Sequence, residues 1–243
     1  MAKTSGRSGG ADDLSQEYVA HQAAVSIEQF EASLDAILGF VAQFRPVDQH
    51  TRILEVGAGI GWIEVICAQR GLDCSAIELN PLFREAALEL AAEHGVEIDI
   101  QLGSIETTDL GKERYDVIIA TSVFEHVPQY GRGLARIYEA LRTGGVFYFY
   151  STNKFSLRSG EYPEVPLYGW LPYVIRRRIR VSRQGPDIVG SSGMDFNQFT
   201  YWGLSRQLKS LGYSQVLDRF EFLPRRRKSL RRSLAMSLIK SSP

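Results

Sequence analysis

Residues 52–80, RILEVGAGIGWIEVICAQRGLDCSAIELN, hold the residue types and spacing from which chemistry can be argued most directly. Gly57, Gly59 and Gly61 take alternate places in one pentapeptide, with Ala58 between the first two. Lacking Cβ atoms, they let the backbone turn sharply and leave room for a ligand lying on it. A helix that begins beyond such a turn offers unpaired N–H groups to a carboxylate or phosphate. Two acids flank the turn. Glu55 sits in the apolar run before it, and Glu78 closes the apolar run after it. A carboxylate at the second position can accept hydrogen bonds from two vicinal ribose hydroxyls. An adenosine-containing cofactor meets these demands, held by Glu55, Gly57, Ala58, Gly59, Gly61, Glu78 and the neighbouring Leu79.

The elements that must position these residues follow from the same stretch. Arg52–Val56 has strand composition, a helical pattern runs from about Trp62 to Gln69, and Gly71 ends it. Cys74–Leu79 reads as a second strand, so the whole is one right-handed βαβ unit. The glycines run GxGxG. A dinucleotide fingerprint GxGxxG would need glycine where Trp62 stands.

The βα alternation continues. Leu82–Glu93 predicts a helix with Pro81 in its first turn, and Val96–Leu102 a third strand ending at Gly103-Ser104-Ile105-Glu106. Tyr115–Thr121 is apolar enough to be buried on both faces and leads to Ser122-Val123-Phe124-Glu125-His126-Val127-Pro128. A helix over Tyr130–Leu141, the stop Thr143-Gly144-Gly145 and a strand over Val146–Tyr150 complete a doubly wound α/β pattern. Residues 14–46 carry helical spacing. Residues 153–199 read as a long irregular insertion holding the run Arg176-Arg177-Arg178-Ile179-Arg180. Thr200 predicts an N-cap for a helix through Leu211, followed by strands over Tyr213–Phe222 and Leu234–Lys240.

The string Glu55-Val56-Gly57-x-Gly59-x-Gly61, with Glu78 and then Asn80-Pro81 after the second strand, resembles the class I S-adenosylmethionine (SAM) methyltransferases. TSVFEHVP further resembles the ubiquinone-pathway O-methyltransferases. The resemblance implies a Rossmann-like, seven-stranded, mostly parallel sheet of order 3-2-1-4-5-7-6, with the last strand antiparallel. It implies SAM as cofactor, with the adenine side at Ser104 and Ile105 and the carboxyl edge of the fourth strand at Thr121 and Ser122. In the family an acid usually stands where Ser104 is. Some relatives place magnesium on two Glu and a His; Glu125 and His126 match, but Ser122 replaces the first Glu, so no metal site is expected. Methyl transfer aligns the acceptor with the sulfonium methyl, and a hydroxyl acceptor needs a base. His126 is the candidate by position and by its ordinary pKa class, with His21, Tyr162 and Asp195 next and Tyr18 near the substrate. By the same analogy, the helices over 14–46 close over the cofactor.

Composition bounds the partners. The chain of 243 residues is long enough for one α/β domain over 14–243, with residues 1–13 expected to be disordered. Net charge is zero, which does not indicate a nucleic-acid binder. Residues 1–50 carry three basic and seven acidic groups, while 224–232 carry six basic and no acidic ones. Cys67 and Cys74 form no zinc or disulfide pattern and read as buried thiols of a reducing, cytoplasmic compartment. No apolar run approaches ~18 residues, so no membrane-spanning helix is expected, and the first ten residues lack a signal peptide's apolar core. Arginines interleaved with apolar residues over 165–181, with the basic loop Arg225–Arg232, suggest peripheral contact with an anionic inner-membrane surface. The acceptor classes in view are small quinone-like, lipid-linked or sugar hydroxyls. The competing readings are a non-catalytic SAM-fold subunit and a nicotinamide oxidoreductase.

Overall fold

A computed structural model describes residues 16, 19, 20, 22, 25–159, 162–186, 188 and 193–218, and the backbone of 235–240. The expectations for residues 1–13, Tyr18, His21 and Arg225–Arg232 lie outside the described residues. Helix α1 spans Ile27–Val41. Then come β1 (Arg52–Val56), α2 (Trp62–Gln69), β2 (Asp73–Glu78), α3 (Pro81–Glu93), β3 (Asp99–Leu102), β4 (Tyr115–Thr121), α4 (Tyr130–Ala140), β5 (Leu141–Tyr150), α5 (Tyr173–Gln184), α6 (Tyr201–Leu211), β6 (Tyr213–Asp218) and β7 (Ala235–Lys240). The strands form one sheet of order β3-β2-β1-β4-β5-β7-β6. β7 runs antiparallel between β5 and β6, and the pairs from β3 through β5 are parallel. The order and the antiparallel strand are those the family resemblance implied.

The pleat explains why the central strands are apolar at nearly every position. Side chains alternate between faces along a strand. Leu54, Ile118, Ala120, Phe147 and Phe149 pack with α4 and α6 through Leu134, Ile137, Leu204 and Leu208. Ile53, Val117, Ile119, Val146 and Tyr148 pack on the other face with α1 and α2 through Leu34, Ile37, Ile63 and Ile66. Helix α1 therefore lies on the sheet, and Phe30 stacks on Trp62 with ring centroids 5.4 Å apart. Within 27–41 it is a packed helix that contributes no wall to the cavity described below. At the amino edge, Asp116 accepts from Arg45, Arg142 and the Arg52 amide at 2.8–2.9 Å. This clamp fixes the end of the sheet farthest from the glycine turn.

Several boundaries differ from the sequence reading, among them the start of β3, at Asp99 and not Val96. β5 begins at Leu141 and runs through Thr143-Gly144-Gly145, with a register irregularity against Tyr115–Val117. The glycines there mark a bulge, which stops a helix in sequence terms but lets a strand continue. The region 153–199 is not wholly irregular, since α5 occupies Tyr173–Gln184. Its Arg176 and Arg180 are buried while Val174 and Ile175 are exposed, an inversion of the usual amphipathic pattern that hides the helix from a hydrophobicity count. Cys67 is buried and Cys74 half-buried beside it.

The same pleat redirects Glu55. It shares a face with Ile53, so it points toward α2 and away from the cavity. Its carboxyl meets Glu64 of α2, and both are buried. Burial pushes both pKa values above the usual 4.5, Glu55 well above, and the charge of Glu64 raises Glu55 further. Two buried carboxylates side by side cannot both ionise without a large cost. Folded pKa values above the unfolded ones mean that this pair stabilises fully below about pH 4.5 and less as pH rises through the folded values. Glu64→Gln keeps the shape of the side chain without the second acid. Its thermal midpoint, followed by calorimetry from pH 5 to 9, is expected to fall less steeply than that of the native protein. The difference corresponds to up to about 1.4 kcal/mol per pH unit for one proton. Parallel curves would remove the coupling between the two acids.

Candidate active site

The carboxyl ends of β1, β2, β3 and β4 open onto a cavity of ≈ 480 Å³. Its walls include Gly57, Gly59, Glu78, Leu79, Ser104, Ile105, Thr121, Ser122 and His126. Glu55, Ala58 and Gly61 are not among them. A volume of this size suits a small organic ligand.

The three glycines have different reasons to be glycine. All have positive φ, between 56° and 79°. A Cβ on Gly57 would meet Val123 Cγ2 at 2.4 Å, and one on Gly61 would meet Ala87 Cβ at 2.7 Å. These two let α3 and the segment after β4 approach the turn. A Cβ on Gly59 would meet no protein atom within 4 Å. Gly59 is therefore the residue whose bareness serves the cavity, as a bound cofactor would require. The turn is held by the Gly57 amide donating to the Ile77 carbonyl at 2.8 Å and the Gly61 amide donating to Ala58 at 2.9 Å.

Glu78 organises the neighbouring turns. Its Oε2 accepts from the Gly59 amide at 2.9 Å and its Oε1 from the Asn80 amide at 2.8 Å. Burial raises its pKa against the opposing pull of those amides. Each oxygen retains acceptor capacity that suits ribose hydroxyls. Ser104 accepts from the Glu106 amide, and Glu106 Oε1 accepts from the Gln129 amide at 2.7 Å. Glu106 also lines the cavity, so an acid stands two residues beyond the position where the sequence motif lacks one. Ser122 has φ 56°, a left-handed conformation that costs a non-glycine residue free energy and here turns the chain out of β4.

On the far wall, residues 193–197 bind the insertion to the segment carrying His126. His126 Nδ1 lies 3.1 Å from the Met194 carbonyl. A carbonyl only accepts, so Nδ1 carries the proton, and the lone pair of the neutral ring is on Nε2. The Phe196 and Asn197 amides donate to the Glu125 carbonyl, and Asn197 Nδ2 donates to the carbonyls of Phe124 and Val127. The Glu125 carboxylate accepts from the Ser151 hydroxyl at 2.5 Å and is no wall of the cavity. It fastens the end of β5. Among the described residues, no group of three or more His, Cys, Asp or Glu is placed to hold a metal ion.

The other base candidates are engaged elsewhere. Asp195 is fully buried and accepts from Arg176, Tyr168 and Gln198, with Arg180 Nε at 2.6 Å. Tyr162 donates to Gln184 at 2.7 Å, and burial pushes its pKa up to about 12. Neither is placed to take a proton from a substrate. Arg176 and Arg180 also turn inward, which overturns their expected role in meeting lipid. The i, i+4 spacing sets both on the face of α5 that covers the cavity. Of the cavity residues, Phe83, Glu106, Arg180, Gln184 and Ile188 were not singled out as site residues in the sequence. Arg180 was visible only as part of a basic run.

Residues 54–149 match the family described as a methyltransferase domain. The chain is 29% identical over 139 residues to a ubiquinone biosynthesis O-methyltransferase of Idiomarina loihiensis, covering 56% of this chain and 57% of the relative. The chain spans about half the length of most curated relatives it matches. A SAM-dependent methyltransferase from Archaeoglobus fulgidus superposes with TM-score 0.54 at 15% identity, covering 82% of this chain and 77% of that one. A phosphoethanolamine N-methyltransferase from Haemonchus contortus, solved with S-adenosylhomocysteine, gives 0.56 at 17%, covering 75% and 38%. At these identities the likeness to the solved structures is one of fold.

The glycine geometry separates packing from binding. Gly59→Ala is expected to fold, with a loss of about 1–2 kcal/mol from its left-handed backbone. It should weaken S-adenosylhomocysteine binding at least tenfold in calorimetry. Gly57→Ala is expected to lower the melting temperature further, because its Cβ collides with Val123. Undiminished affinity in Gly59→Ala would take the turn out of the binding site.

Proposed function

We propose that this chain, whose residues 54–149 match a methyltransferase domain, is a class I SAM-dependent methyltransferase that transfers a methyl group from SAM to a hydroxyl oxygen of a small acceptor. The observation that carries this reading is that one cavity is lined both by Gly59, Glu78, Ser104 and Ile105 and by His126. SAM, when bound, supplies an electrophilic methyl group.

The residues divide the remaining work. The bare backbone at Gly59 admits the cofactor, and Glu78 is placed to accept ribose hydroxyls. Ser104, Ile105 and Glu106 form the adenine end. Met194 fixes the His126 tautomer with its basic nitrogen on Nε2, so His126 takes the acceptor's proton. The covering helix α5, held by Asp195, excludes water and orients the acceptor. The oxygen acceptor is supported by the O-methyltransferase name of the curated relatives.

The exposed surface supports delivery of a lipid-linked acceptor. Trp170, Val174 and Ile175 are 51%, 58% and 42% exposed, beside the exposed Arg177 and Arg178. Among the described residues, no helix is long and apolar enough to cross a membrane. Peripheral contact with anionic lipid through these residues completes the proposal, each arginine contributing about 1 kcal/mol near the surface.

Two measurements test these assignments. Replacing His126 with Ala should lower turnover on a hydroxyl acceptor by about 10²-fold or more, and S-adenosylhomocysteine affinity far less. Unchanged turnover would move the base elsewhere. In co-sedimentation with phosphatidylserine vesicles at low salt, the native chain should pellet, and the double variant Arg177→Glu, Arg178→Glu should remain in solution. Equal pelleting of both would rule out this face.

A further inference from the structure

The cavity lining includes a cation that methyl transfer by itself does not require. Arg180 lines the cavity and is buried. Its Nε lies 2.6 Å from Asp195 Oδ1, its Nη1 donates to the Gly193 carbonyl at 2.7 Å, and its guanidinium carbon sits 5.1 Å from the centre of the Tyr162 ring. Arg176 Nη1 takes the other Asp195 oxygen at 2.7 Å. One buried carboxylate thus serves two buried guanidiniums. Glu125 is the further acid in the field of Arg180, and its carboxylate is engaged by the Ser151 hydroxyl. The tyrosines supply no counter-charge, since burial pushes the pKa values of Tyr162 and Tyr168 upward. Burial also draws the Arg180 pKa below its ordinary value despite Asp195 and Glu125. The two acids therefore do not fully offset what burying this cation costs.

A guanidinium matches the paired oxygens of a carboxylate or phosphate. We infer that the acceptor bears such an oxyanion, bound in the cavity by Arg180, while His126 serves its hydroxyl. Three consecutive residues hold both groups: Gly193 and Asp195 fix Arg180, and Met194 fixes His126. The span from charge to base is therefore set by one three-residue strap, which favours an acceptor whose oxyanion and hydroxyl are a fixed distance apart. This inference rests on the methyl-transfer reading and narrows its acceptor class.

The test uses the full chain saturated with S-adenosylhomocysteine and titrated with matched probes in calorimetry. Benzoate is compared with benzyl alcohol and phenyl phosphate with phenol, so that the two arms tell carboxylate from phosphate. At least one anion should bind on the order of 10–100-fold more tightly than its neutral partner, the range of a charge-assisted hydrogen bond. Arg180→Gln should bring that ratio close to one. If Arg180→Gln does not fold by circular dichroism, Arg180→Lys takes its place and should lower the ratio at least about threefold, because the fork is lost. No preference for either anion, or a preference unchanged in the variant, overturns the inference alone. Failure of the native chain to bind S-adenosylhomocysteine at all overturns the methyl-transfer reading beneath it.

Discussion

The Glu78 carboxylate joins three turns at the sheet's carboxyl edge. Its two oxygens accept from Gly59 and Asn80, and its own carbonyl accepts from the Gly103 amide. The glycine turn, the start of α3 and the turn after β3 are therefore registered against one residue. A buried carboxylate between amide donors is stable in that position, because the donors repay part of its desolvation. The cofactor wall of the cavity depends on this registration. If Glu78 were shortened, the two amides would lose their acceptor and the turns their common reference.

The opposite wall has a comparable centre in Asp195. It anchors α5 through Arg176 and Arg180, while its neighbours on either side hold His126 and the carbonyls of the segment after β4. A buried ion network of this kind contributes little net stability compared with apolar packing. What it contributes is position, since breaking one partner leaves a buried charge. The wall that carries His126 and Arg180 is thus organised by charge, and the wall at the glycine turn by bare backbone and amide donors.

Glu55 adjoins the glycine turn in the sequence, yet its carboxyl meets Glu64 and lines no part of the cavity. Its face followed from the pleat, since Glu55 shares parity with Ile53, but its partner Glu64 came from α2. Similarly, Gly57 and Gly61 were legible as turn residues. Only the approach of Val123 and Ala87 assigned them to packing and left Gly59 to the ligand.

The sequence by itself determined the βα alternation, the glycine turn, the acid closing β2, and the N-cap of α6 at Thr200. These are local or periodic features, written in neighbouring residues and in the two-residue and 3.6-residue repeats of strand and helix. The tertiary structure alone decided which arginines of α5 turn inward, that Asp195 is a counter-ion and not a base, and that Met194 selects the tautomer of His126. Those outcomes depend on groups that meet across long stretches of chain: Arg176 and Asp195 lie 19 positions apart, and His126 and Met194 lie 68 apart. Spacing along the chain cannot encode such meetings, because which face a side chain presents is settled by the partner that neutralises or accepts it.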